Sequence, residues 1–258
     1  NTYLWGTPLT PLFAPTIPFS FPDEARFEHS MLVAGTGHGK TQTLQSLIYD
    51  DLQRVREGGC SVVVIDSQGD LINTILHLAE FSPTAENSLA DRLVLIDPND
   101  IEYPVCLNMF SMNTNRIDGY SPVEQEKMLN GVIELFEYVF GALLGAELTS
   151  KQGVVFRYIA RLMLIIPNAT IATLVELMED GKPFKPYMKQ LEGTSKRFFE
   201  TQFFSPGFNA TKKQILQRLW GVMSNRTFER MFSQPENKVD MFEAMNSGKI
   251  ILINTAKD

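Results

Sequence analysis

Ser30-Met31-Leu32-Val33-Ala34-Gly35-Thr36-Gly37-His38-Gly39-Lys40-Thr41-Gln42 is the stretch on which the fold turns. An apolar run leads into a glycine-rich turn, and the turn leads into a helical pattern. Residues 34–41 fit the phosphate-loop pattern G-x-x-x-x-G-K-[ST], with Ala34 in place of the first glycine. Glycines let the backbone curl so that successive N–H groups point inward at phosphate oxygens. The helix that follows adds its positive N-terminal end. Lys40 is placed to reach the β- and γ-phosphates, and the Thr41 hydroxyl to ligate Mg²⁺. Ala34 ends the strand and need not approach a phosphate. Average residue usage makes a chance match in such a chain roughly a 2% event, and the flanking strand and helix patterns lower it further. His38 sits inside the loop, where the main chain does the binding, so its side chain is expected to point away from the phosphates. The predicted phosphate site is therefore Gly35, Thr36, Gly37, His38, Gly39, Lys40 and Thr41, continuing to Gln42.

Outward from the loop, Leu44, Leu47, Ile48, Leu52 and Val55 recur at helical spacing, and Gly58-Gly59 ends that helix. Ser30–Ala34 reads as a strand. Ser61–Ile65, Leu93–Ile96 and Lys249–Asn254 read as three more. Their apolar residues run continuously instead of alternating, which marks strands covered on both faces, as in a parallel sheet. Strand, turn, helix and strand make a βαβ unit. From about residue 111 to 235 the strand signal disappears. Ser121-Pro122-Val123-Glu124 is a capping box with proline at the first helical position. Two apolar helical faces follow, Leu129 to Leu143 and Val154 to Ile166, and shorter helices are expected over 171–180, 196–204 and 210–224. Asp240 caps a last helix that Gly248 ends. The expected fold class is α/β, a mainly parallel sheet with an all-α insertion. Its parts are 1–110 as the first part of the core, 111–234 as the insertion and 235–258 as the return to the core. Residues 1–25, with five prolines, read as an extended lead-in.

Composition narrows the function classes. The chain has 258 residues, 44% hydrophobic and 21% charged, which excludes disorder, collagen and coiled coil. Two cysteines, Cys60 and Cys106, exclude a disulfide scaffold and favour a reducing, cytoplasmic setting. The most apolar stretch, Met128–Leu148, carries Glu134 and Glu137 near its middle, so it reads as a buried helix and not as a membrane span. Attachment to a membrane would then come through partners. The net charge of −7 is uneven, −9 over residues 1–120 and +2 over 121–258. A domain that binds nucleic acid with its whole surface should be basic. Any nucleic-acid contact is therefore local.

Three further groups of residues carry chemistry or turns. In Ile65-Asp66-Ser67-Gln68-Gly69-Asp70, the carboxylate of Asp66 ends a strand beside the loop. It could accept from a Mg²⁺-bound water, or Asp66 or Ser67 could cap the helix that begins near Asp70; the two readings weigh evenly. Asp97-Pro98 after a strand is foremost a turn. Lys182, Lys185, Lys189, Lys196 and Arg197, then Lys212, Lys213 and Arg218, alternate with Phe184, Tyr187, Phe198, Phe199, Phe203 and Phe204. That pattern suits a nucleic-acid face, but a solvated face over a phenylalanine-rich core is the preferred reading. Zinc-ligand spacing is absent, and the histidines are His29, His38 and His77.

Together "HSMLVAGTGHGKT", "VVVIDSQGDLI", "LVLIDPND…YP…LN" and "DMFEAMNSGKIILINTAKD" resemble the HerA/FtsK group of P-loop ATPases. Within that group they are most similar to conjugation coupling proteins and type IV secretion ATPases. The resemblance implies a RecA-like sheet with an all-α insertion, ATP and Mg²⁺ at Gly35 to Thr41, and Lys40 and Asp66 as catalytic residues. It implies DNA as a partner, hexamers in the full-length protein and association with a membrane-bound secretion or conjugation machinery. Ser67 replaces the proline usual after the acidic residue. The strand ending in Asp-Glu, the sensor segment and the arginine finger have no counterpart in the sequence. The chain is thus expected to be an N-terminal piece, hydrolysing ATP weakly or not at all by itself. Other readings are a secretion ATPase acting on proteins, a small-molecule kinase whose lid would use Arg157, Arg161 and Arg218, and a regulatory nucleotide-binding protein. The intact Gly39-Lys40-Thr41 speaks against the last of these.

Overall fold

A computed structural model describes residues 27–111, 119–143 and 150–256, together with residues 6–8, 22 and 25. The lead-in over 1–25 falls almost wholly outside the described residues, as do the side chains of Leu143 and Val154. The chain forms two compact units, residues 1–47 and 48–258. Helix α1, Lys40–Arg56, belongs to both.

The first unit departs from expectation at Ser30–Ala34. These residues adopt no strand, and Met31 and Val33 are 87% and 80% exposed. The physical reason is pairing. An extended segment becomes a strand only when a neighbour supplies partners for its N–H and C=O groups. Among the described residues every ladder hydrogen bond belongs to three other segments.

Those segments build the sheet of the second unit. Strands β1 (Val62–Asp66), β2 (Leu93–Ile96) and β3 (Ile250–Asn254) are all parallel, in the order β1-β3-β2. Val62 and Leu93 both face Ile250 in register, and Asp66 faces Asn254. Alternate residues of a strand point to opposite faces. One face, with Val62, Val64, Ile250 and Leu252, packs on Leu52 and Val55 of α1 and on Ile72 and Ile75 of α2 (Asp70–Leu76). On the other face Ile96 and Ile251 pack on Ala244, which lies in the last helix of the unit. Ile250, Ile251 and Leu252 are fully buried because β3 is covered on both faces and both edges. Burying each such side chain stabilises the fold by about 1.5–3 kcal/mol.

Between β2 and β3 the chain is helical. Helices α3 (Pro122–Leu143), α4 (Ser150–Met163), α5 (Ile171–Glu179), α6 (Lys185–Met188), α7 (Gly193–Thr201), α8 (Asn209–Met223), α9 (Arg226–Phe232) and α10 (Met241–Asn246) follow in order. The Ser121 box forms as the sequence predicts. The Ser121 N–H and hydroxyl donate to Glu124 Oε2 at 2.9 and 2.7 Å, and the Glu124 N–H donates back to Ser121 Oγ at 3.4 Å. These bonds hold the Glu124 carboxyl below its ordinary range. Asp240 caps α10 by accepting from the Glu243 N–H at 3.0 Å. Phe110, Phe136, Phe140 and Phe156 stack at 5.1–6.2 Å between centroids and begin a core that Phe199 and Phe203 continue. No helix among the described residues is long and apolar enough to cross a membrane.

The helical block joins the sheet through the coil after β2, which hydrogen-bonds to the end of α9 and to the coil that follows it. The Leu107 N–H donates to the Met231 carbonyl at 2.8 Å, and the Lys238 N–H to the Cys106 carbonyl at 3.1 Å. The buried Asn108 side chain donates to the carbonyls of Ala169 and Pro235 at 2.8 and 2.9 Å. Its Oδ1 accepts from the Phe110 N–H at 3.0 Å.

Candidate functional site

The loop between Ala34 and Lys40 is built by two glycines. Gly37 and Gly39 have φ of +79° and +77°, a region that residues with a Cβ avoid. The His38 N–H donates to the Gly35 carbonyl at 3.2 Å, closing the turn between them. The His38 ring folds back over its own loop, with Nδ1 3.0 Å from the Thr36 carbonyl. A Cβ at Gly35 would stand 3.1 Å from that nitrogen, so Gly35 makes room for the ring.

Helix α1 starts at Lys40, directly after the turn. Its first internal bonds run to Gly39, whose carbonyl accepts from the Thr43 N–H at 2.9 Å and from the Thr43 hydroxyl at 3.0 Å. The amides of Lys40, Thr41 and Gln42 come too early in the helix to find an intrahelical acceptor. These three residues are exposed, as are Gly35 to His38. The first unit thus brings Gly35, Thr36, Gly37, His38, Gly39, Lys40, Thr41 and Gln42 into one short stretch of turn and helix start. A turn of N–H groups, a helix N-terminus, an ammonium and a hydroxyl suit a phosphorylated, Mg²⁺-bound ligand.

Asp66 lies in the second unit, at the carboxyl end of β1. Its Oδ1 accepts from the Gln68 N–H at 3.0 Å, and its Oδ2 from the N–H groups of Leu71 and Ile72 at 2.9 and 3.4 Å. The carboxylate therefore satisfies the first turn of α2, which is the capping role. The Asp66 carbonyl accepts from the Thr255 N–H at 2.8 Å and the Thr255 hydroxyl at 3.1 Å.

Beside it, Asp97 does what its turn signal predicts, with Oδ1 accepting from the Asn99 N–H at 2.9 Å. Its Oδ2 also accepts from Asn254 Nδ2 at 3.1 Å. Asp66, Asn254 and Asp97 thus form a polar row at the carboxyl ends of three neighbouring parallel strands. In open α/β sheets, ligands bind at that end of the strands. Sequence reasoning missed Asn254 and Thr255; the available signal was a polar pair closing an apolar strand. Among the described residues, no group of three His, Cys, Asp or Glu side chains is placed to hold a metal ion.

The basic and aromatic segment over 182–218 is mostly a charged face over a core. Phe184, Phe199 and Phe203 are buried, and Lys182, Lys185, Lys189, Arg197 and Lys213 are exposed. Phe204 is the exception among its phenylalanines, at 38% exposure.

Residues 11–100 match the family model of the type IV secretion-system coupling protein DNA-binding domain. No curated protein and no solved structure gives a significant match to the chain. The matched span includes the loop, α1, β1, α2 and β2, and it supports the resemblance to coupling proteins.

Proposed function

We propose that this chain carries the nucleotide-binding core of a coupling-protein ATPase, one that uses ATP to move DNA through a secretion or conjugation machinery. The observation that carries the reading is the glycine turn at 37–39 opening into the N-terminus of a 17-residue helix, with Lys40 and Thr41 as its first two residues. On this reading the amides of Gly35 to Gln42 hold the phosphates, the Lys40 ammonium neutralises the charge that grows on the γ-phosphate, and the Thr41 hydroxyl faces Mg²⁺. The resemblance to coupling proteins also assigns an acidic role to Asp66. Its capping bonds use three of about four acceptor positions of a carboxylate, which leaves capacity for one metal-bound water. The fold is a RecA-like one, and the working assembly is a hexamer in which neighbouring subunits supply the remaining catalytic groups. The chain by itself binds nucleotide and hydrolyses it weakly or not at all.

The kinase reading finds less support. It needs arginines available to a second phosphate donor or acceptor, whereas Arg157 pairs with Glu137 at 2.6 Å and Arg161 donates to Asn130 at 3.2 Å.

The test is ATP and ADP affinity in the presence of Mg²⁺, measured by calorimetry on wild type and Lys40→Ala. Hydrogen bonds to charged groups are worth about 1.5–3 kcal/mol, so affinity should fall by about 10- to 100-fold. Equal binding by both proteins would end the proposal.

A further inference from the structure

Residues 182–218 hold eight Lys/Arg against two Asp/Glu, a net +6 in a chain whose total is −7. The positive charge is thus gathered on one part of the helical block while the rest of the chain is acidic. Within this part, α6 and α7 enclose a pocket of about 340 Å³. Met188, Phe199 and Phe204 give it apolar walls, and Lys185, Lys189 and Glu200 line it as well. Its size is near the lower end for small-ligand clefts. Two ammonium groups stand over the exposed Phe204 ring, Lys185 Nζ and Lys212 Nζ, each 5.2 Å from its centroid. Lys212 Nζ is also 3.6 Å from the Phe203 centroid. Partial burial lowers the Lys212 pKa, and the charge of Asp180 partly counters it.

An aromatic wall with several cations around it matches one chemistry closely. A nucleobase offers a flat π-face to Phe204, and the phosphates on either side of it offer the anions. From this arrangement we infer that the pocket between α6 and α7 binds single-stranded nucleic acid, one unstacked base entering against Phe204 and its flanking phosphates meeting Lys185, Lys189 and Lys212. Lys185 leaves the ring face as the base arrives and turns its ammonium to the phosphate. A duplex keeps its bases stacked inside and cannot fill the pocket. The inference places the proposed DNA contact on the helical block and specifies a single strand. It does not depend on nucleotide binding at Gly35–Thr41.

The experiment is fluorescence anisotropy of a labelled oligothymidylate with the full chain, in the absence of ATP, across a range of salt. Wild type should bind the single strand more tightly than a duplex of equal length. Phe204→Ala should weaken binding by about tenfold, a loss typical of removing one stacking partner. Lys185→Glu with Lys189→Glu should lower the slope of log affinity against log salt by about 0.7 for each phosphate that is no longer neutralised. These positions are exposed, and circular dichroism checks that the variants are folded. ATP affinity of Phe204→Ala should equal that of wild type, which separates this site from the glycine loop. Binding that is undetectable, that ignores both sets of substitutions, that is equal for duplex, or that polyglutamate displaces as well as unlabelled oligothymidylate does would overturn the inference.

Discussion

Met31-Leu32-Val33-Ala34 and Val62-Val63-Val64-Ile65 are near equals on paper. Each is a short apolar run that leads into a glycine-containing turn and then a helix. The second becomes strand β1, locked residue for residue to β3. The first stays unpaired, with Val33 80% exposed. Apolar and β-branched composition therefore equips a segment to be a strand without making it one. Register partners decide, and they come from distant sequence.

The contrast can be broken by substitutions on each side. The largest effect is expected for Leu252→Ala in β3, where the side chain is fully buried. Urea denaturation should show a loss of about 2–5 kcal/mol, against a change within about 0.5 kcal/mol for Val33→Ala. Comparable losses at the two positions would mean that residues 30–34 are packed as a strand after all. An intermediate effect is expected where β1 ends. Asp66→Ala removes the acceptor for three amides and should cost about 1–2 kcal/mol, whereas Asp66→Asn keeps a single acceptor oxygen, enough for the α2 amides or for Gln68 but not for both, and should fall between alanine and wild type. An alanine variant as stable as wild type would show that the cap at α2 contributes nothing.

The smallest effect concerns the Ser121 box. The bonds from Ser121 hold the folded Glu124 carboxyl below its ordinary value. A depressed carboxyl stabilises the fold above the ordinary value, and that contribution is lost as pH falls through the folded one. A carbon-detected NMR titration should therefore place Glu124 low in wild type and return it toward the ordinary carboxyl range in Ser121→Ala. An identical titration in both proteins would dismiss the box as an electrostatic device.

Much of the architecture was legible because it rests on local rules. Three of the four expected strands form, and the helix starts at Ser121 and Asp240 fall where their capping side chains put them. The helix expected over 196–204 lies instead at Gly193–Thr201, the kind of boundary shift that periodicity cannot resolve. Asp66 was ambiguous for a physical reason, since a carboxylate at a strand end suits a metal-bound water and a helix cap equally well. Only the positions of the Leu71 and Ile72 amides distinguish the two. Asn108 and Asn254 were illegible because their meaning lies in partners far along the chain, Pro235 for one and Asp97 for the other. The turn at Gly37 and Gly39 and the helix start at Lys40 were legible because they depend on residues within a few positions of each other.

The strand order β1-β3-β2 has a consequence for how the molecule is made. The central strand is the last of the three to leave the ribosome, so β1 and β2 emerge with no ladder between them. The helices made in the interval rely on nearer contacts and can assemble first, since local pairings form faster than distant ones. Until β3 arrives, Val62, Val64 and Leu93 have no central strand to cover them, and that waiting period is when the nascent chain is most exposed to aggregation.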